Sequence, residues 1–144
     1  MINWDNIDKK TKIFTFEGRT CIGKVVDVYD GDTFTVAMKS FIGPDKNQVV
    51  RVKCRLNGID TPEMRPPKND PNREKEIAAA KKSKQFVETN ILHKYIRINV
   101  AGLDKYGRLL VSLALPDTGK DLATTMIEQK LGYAYDGGTK QQFS

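Results

Sequence analysis

The chain has 144 residues, a length typical of one domain that buries a core without disulfides or a structural metal. Its 24 Lys and Arg exceed its 18 Asp and Glu, and the net charge of +6 favours a polyanionic partner such as nucleic acid. No stretch approaches the roughly 18 apolar residues of a membrane-spanning helix, so we expect no membrane partner. The amino terminus shows no apolar run typical of a signal peptide, and nothing else indicates where the protein works.

The first part of the chain predicts an extension followed by a hairpin. Residues 1–18 are mixed in composition, with Trp4 as either a packing anchor or a site, and residues 13–16 favour a short strand or a strap across the core. Residues 21–29 and 32–38 have the apolar pattern of strands, and the Asp-Gly pair between them is a strong hairpin signal. Residues 40–48 are expected to form a polar loop.

The next stretch predicts a strand that ends in a loop carrying two carboxylates. Apolar and polar residues alternate over residues 50–57, which indicates a half-buried third strand with a basic outer face. A glycine then breaks the alternation, and Pro62 stiffens the turn that follows. Arg55, at the end of the strand, is thereby brought beside Asp60 and Glu63.

Two helices and two further strands are predicted in the second half. Residues 65–76 are rich in proline and charge and indicate a surface loop, whereas apolar residues at helical spacing predict a helix over residues 74–92. Residues 95–100 alternate as a fourth strand, and residues 108–115 as a fifth.

The end of the chain predicts a second helix and a tail. The helix is expected over about residues 120–131, with Gly132 as its C-terminal stop. The composition of residues 133–144 is typical of a flexible tail. Cys21 and Cys54 lie in predicted strands and are expected to be buried small hydrophobes, with no disulfide and no zinc site.

This order of elements is that of an OB-like α+β fold, a five-stranded Greek-key barrel with two packed helices. We expect an N-terminal extension (residues 1–18), one barrel domain (residues 19–136) and a flexible C-terminal tail (residues 137–144). Such barrels commonly bind oligonucleotides, although a fold alone does not establish a function. The single histidine, His93, excludes mechanisms that need two and is expected at the surface or as a helix cap.

Side chains suited to chemistry occur at strand ends and turns. They are Asp30 and Asp32, then Arg55, Asp60 and Glu63, and finally Lys105, Tyr106 and Arg108. Each group by itself has a structural explanation, because Asp and Gly favour turns and a lone arginine often serves as a solvated cross-strand partner. The loop after the third strand is likewise explained by a side-chain hydrogen bond to its own backbone.

Hydrolysis of a phosphodiester gives five of them a joint role: Asp32, Arg55, Asp60, Glu63 and Arg108. Two guanidiniums provide preorganised positive charge for the phosphoryl oxygens, in the forked geometry that lysine lacks. A divalent cation held by Asp32 and Asp60 would add charge and orient water, and Glu63 would then take or direct a proton from the attacking water. In this interpretation Arg55 and Arg108 form the charge clamp.

The motifs DGDT, an Arg five residues before DTPE, and DKYGR resemble the staphylococcal nuclease (thermonuclease) family in order and spacing, over about residues 21–136. The resemblance implies a calcium-dependent nuclease, an endonuclease or exonuclease, that hydrolyses DNA and RNA on an OB-fold barrel. The resemblance is to a short form of the family, without the C-terminal third helix.

The resemblance also implies roles for individual residues. It implies that Asp32, Asp60 and Thr61 bind calcium, that Arg55, Glu63 and Arg108 are catalytic, and that Lys105, Tyr106 and Tyr135 bind substrate, with Tyr133 as the alternative for the stacking position. We expect a monomer.

Two alternatives to a nuclease remain. One is a non-catalytic nucleic-acid or protein-binding OB module of the same family, and the other is a purely structural OB-like domain. Loss of one of the five candidate side chains would favour the binding module, and none is lost here. Arg51 and Lys53, on the basic face of the third strand, are left with general electrostatic attraction only.

Overall fold

The computed structural model describes residues 1–40 and 47–136. Most of the predicted polar loop at residues 40–48 and the predicted flexible tail at residues 137–144 therefore lie outside the described residues. Within them there are seven strands and two α-helices: β1 (Thr20–Val28), β2 (Thr33–Lys39), β3 (Val49–Leu56), β4 (Ile59–Asp60), α1 (Arg73–Ile91), β5 (Tyr95–Leu103), β6 (Leu109–Leu113), α2 (Leu122–Glu128) and β7 (Tyr133–Ala134).

Five strands close into a barrel in the order β1, β2, β3, β6, β5 and back to β1. All neighbours are antiparallel except β3 and β6, which pair in parallel through residues such as Arg55 and Leu110. The predicted meander of the first three strands and the five-stranded OB-like barrel are confirmed. The parallel pair matters for function because it sets the end of β3 beside the turn that leads into β6.

The barrel interior is filled by the apolar residues of the alternating patterns. In β2 these are Phe34, Val36 and Met38, and β3 and β6 contribute their alternate residues in the same way, with Cys54 completely buried. Both cysteines are free, but Cys21 is only half-buried, so the predicted burial is confirmed for Cys54 and is wrong for Cys21. Burial raises the pKa of the Cys54 thiol to about 12, because the apolar interior disfavours its charged form.

Helix α1 packs one face on the barrel. Its buried residues are Ala80, Ser83, Val87 and Ile91, which recur at the three- and four-residue spacing that the sequence predicted. The chain turns back after the helix through His93, an exposed residue with φ of 66° whose N–H donates to the carbonyl of Val25. Among the described residues, neither this helix nor the other has the length and apolar character to cross a membrane.

The second helix is shorter than predicted. It runs from Leu122 to Glu128, and the carboxylate of Asp121 caps its first turn by accepting from the N–H of Thr124 at 2.9 Å. Its end is followed by Lys130, which has a φ of 62°, so Gly132 is not the stop that the sequence suggested. Instead, Gly132 lies against β4, where a Cβ atom would stand 2.8 Å from the carbonyl oxygen of Asp60.

Substitution of Gly132 by alanine is therefore expected to destabilise the protein by about 1–3 kcal/mol, because the added methyl overpacks the contact with β4. Chemical denaturation measures this free energy of unfolding. Ala134→Ser, an exposed change in the adjacent strand, is the control and should stay within about 0.5 kcal/mol of the parent. A Gly132→Ala protein of parental stability would show that the close approach is unimportant.

The N-terminal extension is mostly exposed. Trp4, in a single 3₁₀ turn, is 71% exposed, and Phe14 is 67% exposed, so Trp4 is not the packing anchor considered from the sequence. Phe16 alone of the residues before Gly18 packs against the core, and its ring lies 4.9 Å from that of Phe14. Of the strap across the core predicted for residues 13–16, only Phe16 contacts the core.

Candidate active site

The turn between β1 and β2 presents the carboxylate of Asp32. The Asp32 carbonyl accepts from the N–H of Leu56 at 2.8 Å, which ties the turn to the end of β3. Its side chain is almost fully buried and accepts from the hydroxyl of Thr33 at 3.1 Å and from the N–H of Thr61 at 3.3 Å. Gly31 allows this packing, since a Cβ atom there would lie within 3.0 Å of Ser83 and Thr61.

Arg55, on β3, connects the carboxylates. Its Nη2 lies 3.4 Å from Oδ2 of Asp32 and 3.3 Å from Oδ1 of Asp60, and its side chain is only 13% exposed. Its Nη1 donates to the carbonyls of Leu56 at 2.8 Å and Ile59 at 3.0 Å. Four contacts therefore fix this guanidinium, so it is held in place before any ligand arrives.

Asp60 is placed by a short sheet that the sequence did not predict. Strands β4 and β7 are antiparallel, with Asp60 opposite Tyr133, whose hydroxyl donates to Oδ2 of Asp60 at 2.8 Å. The segment from Tyr133 was expected to be flexible, but this pairing and the bond to Asp60 hold its first residues. The cause is a long-range contact, which local composition does not reveal.

Asp30 adds a third carboxyl beside this pair. Its Oδ1 accepts from the N–H of Asp32 at 3.0 Å. Burial, followed by the negative charge of Asp32, raises the pKa of Asp30 above its ordinary value. The turn therefore brings two carboxyl groups, Asp30 and Asp32, close together. Arg55 supplies the positive charge that faces Asp32 and Asp60.

Arg108 is held by Asp104, a residue to which the sequence assigned no role. Its Nε donates to Oδ2 of Asp104 at 2.6 Å, and the N–H groups of Arg108 and Tyr106 donate to the other oxygen at 2.9 and 2.8 Å. Burial alone would raise the pKa of the Asp104 carboxyl, but these hydrogen bonds and the Arg108 charge outweigh it, so that pKa is lowered. Arg108 Nη1 also lies 3.3 Å from the hydroxyl of Thr33.

Both arginines line the same cleft, which has a volume of about 370 Å³. Its other lining residues include all three of the predicted substrate-binding residues, Lys105, Tyr106 and Tyr135. Tyr106 lies under the Arg108 guanidinium, with 5.4 Å between the ring centre and the central carbon. The corresponding distance from Arg55 to the ring centre of Tyr135 is 5.8 Å. The cleft thus combines cationic and aromatic groups.

The cleft also distinguishes the two tyrosines that the sequence left open. Tyr135 lines the cleft, whereas Tyr133 directs its hydroxyl to Asp60. Tyr135 is therefore a residue of the cleft, and Tyr133 supports a carboxylate.

Glu63 lies outside the residues that line the cleft. It is exposed, in the loop after β4, and its N–H forms a hydrogen bond to the carboxylate of Glu76 on α1. The pKa of Glu76 is raised by burial first and then by the negative charges of Asp70, Glu63 and Asp60. Glu76 therefore anchors the backbone of the Glu63 loop to α1.

Asp104 and Glu76 are the residues that sequence reasoning missed. Asp104 stands at the head of the DKYGR turn, and an Asp that begins a turn followed by glycine is a signal for side-chain bonds to the backbone. Glu76 carries no such signal, because an acidic residue in the first turn of a helix is explained by the helix dipole alone.

The donor set around Asp32 and Asp60 is suited to a hard divalent cation. The two carboxylates contact the same guanidinium nitrogen and are buried, and the hydrogen bond from Thr61 keeps its backbone beside Asp32. No group of three or more His, Cys, Asp or Glu arranged to hold a metal occurs in residues 1–40 and 47–136. Calcium takes six to eight oxygen ligands, so water and substrate would supply most of them.

Comparison with known proteins was made through family models and through curated sequences. No curated protein matches the chain significantly. The family model described as staphylococcal nuclease homologue matches residues 53–143, well over half of the chain. The matched region contains Arg55, Asp60 and Arg108, while Asp32 precedes it. Together with the closed five-stranded barrel, this match shows that the chain belongs to the staphylococcal nuclease homologue family.

Proposed function

We propose that the protein is a calcium-dependent nuclease that hydrolyses phosphodiester bonds of DNA and RNA. Membership of the family indicates a nuclease or a nucleic-acid-binding module. The observation that carries the finer proposal is the position of Arg55, which lines the cleft with Arg108 and also contacts both Asp32 and Asp60. A phosphate in the cleft would thus meet two guanidiniums at the border of an acidic cation site.

The two arginines bind the scissile phosphate. Arg55 is fixed by backbone carbonyls and Arg108 by Asp104, so neither needs to reorganise when charge develops on the phosphoryl oxygens. Preorganised donors of this kind stabilise the transition state more than the ground state. Lys105, Tyr106 and Tyr135 contact the neighbouring phosphate and base.

Asp32, Asp60 and the carbonyl of Thr61 would hold calcium. When bound, the cation supplies positive charge beside the phosphate and orients water. The ion pairs of Arg55 hold these carboxylates close together.

Glu63 acts as the general base. As water attacks phosphorus in line, its proton passes to the Glu63 carboxylate, a new P–O bond forms, and the bond to the 5′ oxygen breaks. The leaving 5′ oxygen takes a proton from solvent. The hydrogen bond from the Glu63 backbone to Glu76 anchors the loop that carries Glu63 on α1.

End mapping of cleavage products tests this proposal. An end-labelled single-stranded DNA and an RNA of the same sequence, each incubated with calcium, should both give fragments with 3′-phosphate and 5′-hydroxyl ends. Cleavage of RNA alone with cyclic phosphate ends would contradict water attack. Binding of both without any cleavage would identify the non-catalytic module instead.

A further inference from the structure

The outside of the barrel carries a surface that the proposed cleavage does not use. Across four adjacent strands, Arg51 of β3 stands opposite Ala37 of β2, Ala37 opposite Lys24 of β1, and Lys24 opposite Tyr95 of β5. Neighbouring strands are about 4.8 Å apart, so this row is about 14 Å long. Arg97, Lys39 and Lys53 flank it, and we call these residues together the outer basic surface.

The charge of this surface is strongly one-sided. The four strands contain the basic residues Lys24, Lys39, Arg51, Lys53, Arg55 and Arg97 and a single acidic residue, Asp27. All of these basic side chains except Arg55 are exposed, and none forms an ion pair with another described residue. Asp27 stands opposite Thr35 of β2, which separates it from Lys53 of β3.

An aromatic ring stands among these charges. Tyr95 is 76% exposed and lies between Lys24 on the neighbouring strand and Arg97, two residues further along β5. Ile22, opposite Arg97, is also exposed and adds an apolar side chain to this surface. A positively charged path that carries an exposed aromatic ring is the arrangement that binds single-stranded nucleic acid by phosphate contacts and base stacking.

We propose that the outer basic surface is a second binding site, which holds a single-stranded segment of DNA or RNA outside the catalytic cleft. Strand β3 connects the two sites, because Arg51 and Lys53 lie on the outer surface and Arg55 enters the cleft. A long substrate would therefore contact both, whereas a substrate of one or two nucleotides would reach only the cleft. This binding does not depend on cleavage.

The affinity of the protein for single-stranded DNA is measured by fluorescence anisotropy with a labelled oligothymidylate of about 20 nucleotides. Excess chelator is present to prevent metal-dependent cleavage. The triple variant Lys24→Gln, Arg51→Gln, Arg97→Gln should bind at least tenfold more weakly at low salt. Its slope of log affinity against log salt should fall by about 2, since three phosphate contacts are lost. Tyr95→Ala should weaken binding about fivefold or more through lost stacking.

The matched control is the triple variant Lys81→Gln, Lys82→Gln, Lys120→Gln, which removes the same charge from exposed positions in α1 and just before α2. It should bind within about twofold of the parent, and all variants should cleave a dinucleotide as the parent does. Equal loss of affinity in both triple variants would reduce the effect to net charge and overturn the proposal. Parental affinity in the outer-surface variant would overturn it as well, whether or not the protein is a nuclease.

Discussion

Replacement of Arg108 by alanine is expected to lower turnover by about two to three orders of magnitude, because it removes preorganised charge from the transition state. The barrel should stay folded, since Arg108 is partly exposed and its ion pair with Asp104 lies at a surface turn. Measured on a dinucleotide, the change should lower kcat and kcat/KM together, which is the signature of an interaction made in the transition state.

Arg55→Ala should lose at least as much turnover and should also lose stability. Removing this guanidinium leaves Asp32 and Asp60 buried without their cation, and breaking a buried pair in this way costs about 3–5 kcal/mol. Arg55→Lys keeps the charge but not the forked geometry, so it separates the two effects. We expect it to be more stable than Arg55→Ala and still strongly impaired.

Arg51→Ala is the control for both arginines, because it lies on the same strand as Arg55 with its side chain on the outer surface. On a dinucleotide it should retain parental turnover. Folded Arg108→Ala or Arg55→Lys protein with parental turnover would refute the two-arginine clamp.

Calcium is expected to stabilise the protein against heat. A ligand at 100 times its dissociation constant adds about 2.7 kcal/mol, which raises Tm by about 5–10 °C in a domain of this size. The physical reason is that Asp32 and Asp60 present buried hard oxygens already held together. Thermal unfolding followed by circular dichroism, with calcium or with chelator, gives the shift without any assay of activity.

Asp60→Asn should abolish this shift, because it removes the charge of one proposed ligand at nearly unchanged volume. Asp117→Asn should leave it intact, since Asp117 is paired with Lys94 on the surface and is 72% exposed. An equal calcium shift in Asp60→Asn would place the ion elsewhere on the protein.

The barrel could be predicted from the sequence because the patterns that indicate its strands and turns are local and repeated. Alternation in residues 50–57 predicts which side chains enter the core, and the structure buries Cys54 and Leu56 while leaving Arg51 and Lys53 exposed. The Asp-Gly turn fixes the hairpin of β1 and β2. The pairing of β2 with β3, the next strand of the predicted meander, then sets Thr33 opposite Arg55.

The contacts that hold the site residues in place could not be predicted in this way. Gly132 looked like a helix stop, because both a stop and a close approach to a strand favour glycine. The pairing of β4 with β7 joins residues more than seventy positions apart, and the bond from Tyr133 to Asp60 depends on it. The contact of Glu76 with the Glu63 loop depends on how α1 packs, which no local pattern encodes.

Cleavage of single-stranded DNA by micromolar protein, first with calcium and then with excess chelator, tests the nuclease proposal most directly. We predict that calcium supports cleavage, that chelator stops it, and that added calcium restores it. No cleavage with calcium, or full cleavage in excess chelator, would contradict the proposal that Asp32, Asp60 and Thr61 hold a catalytic cation beside Arg55 and Arg108.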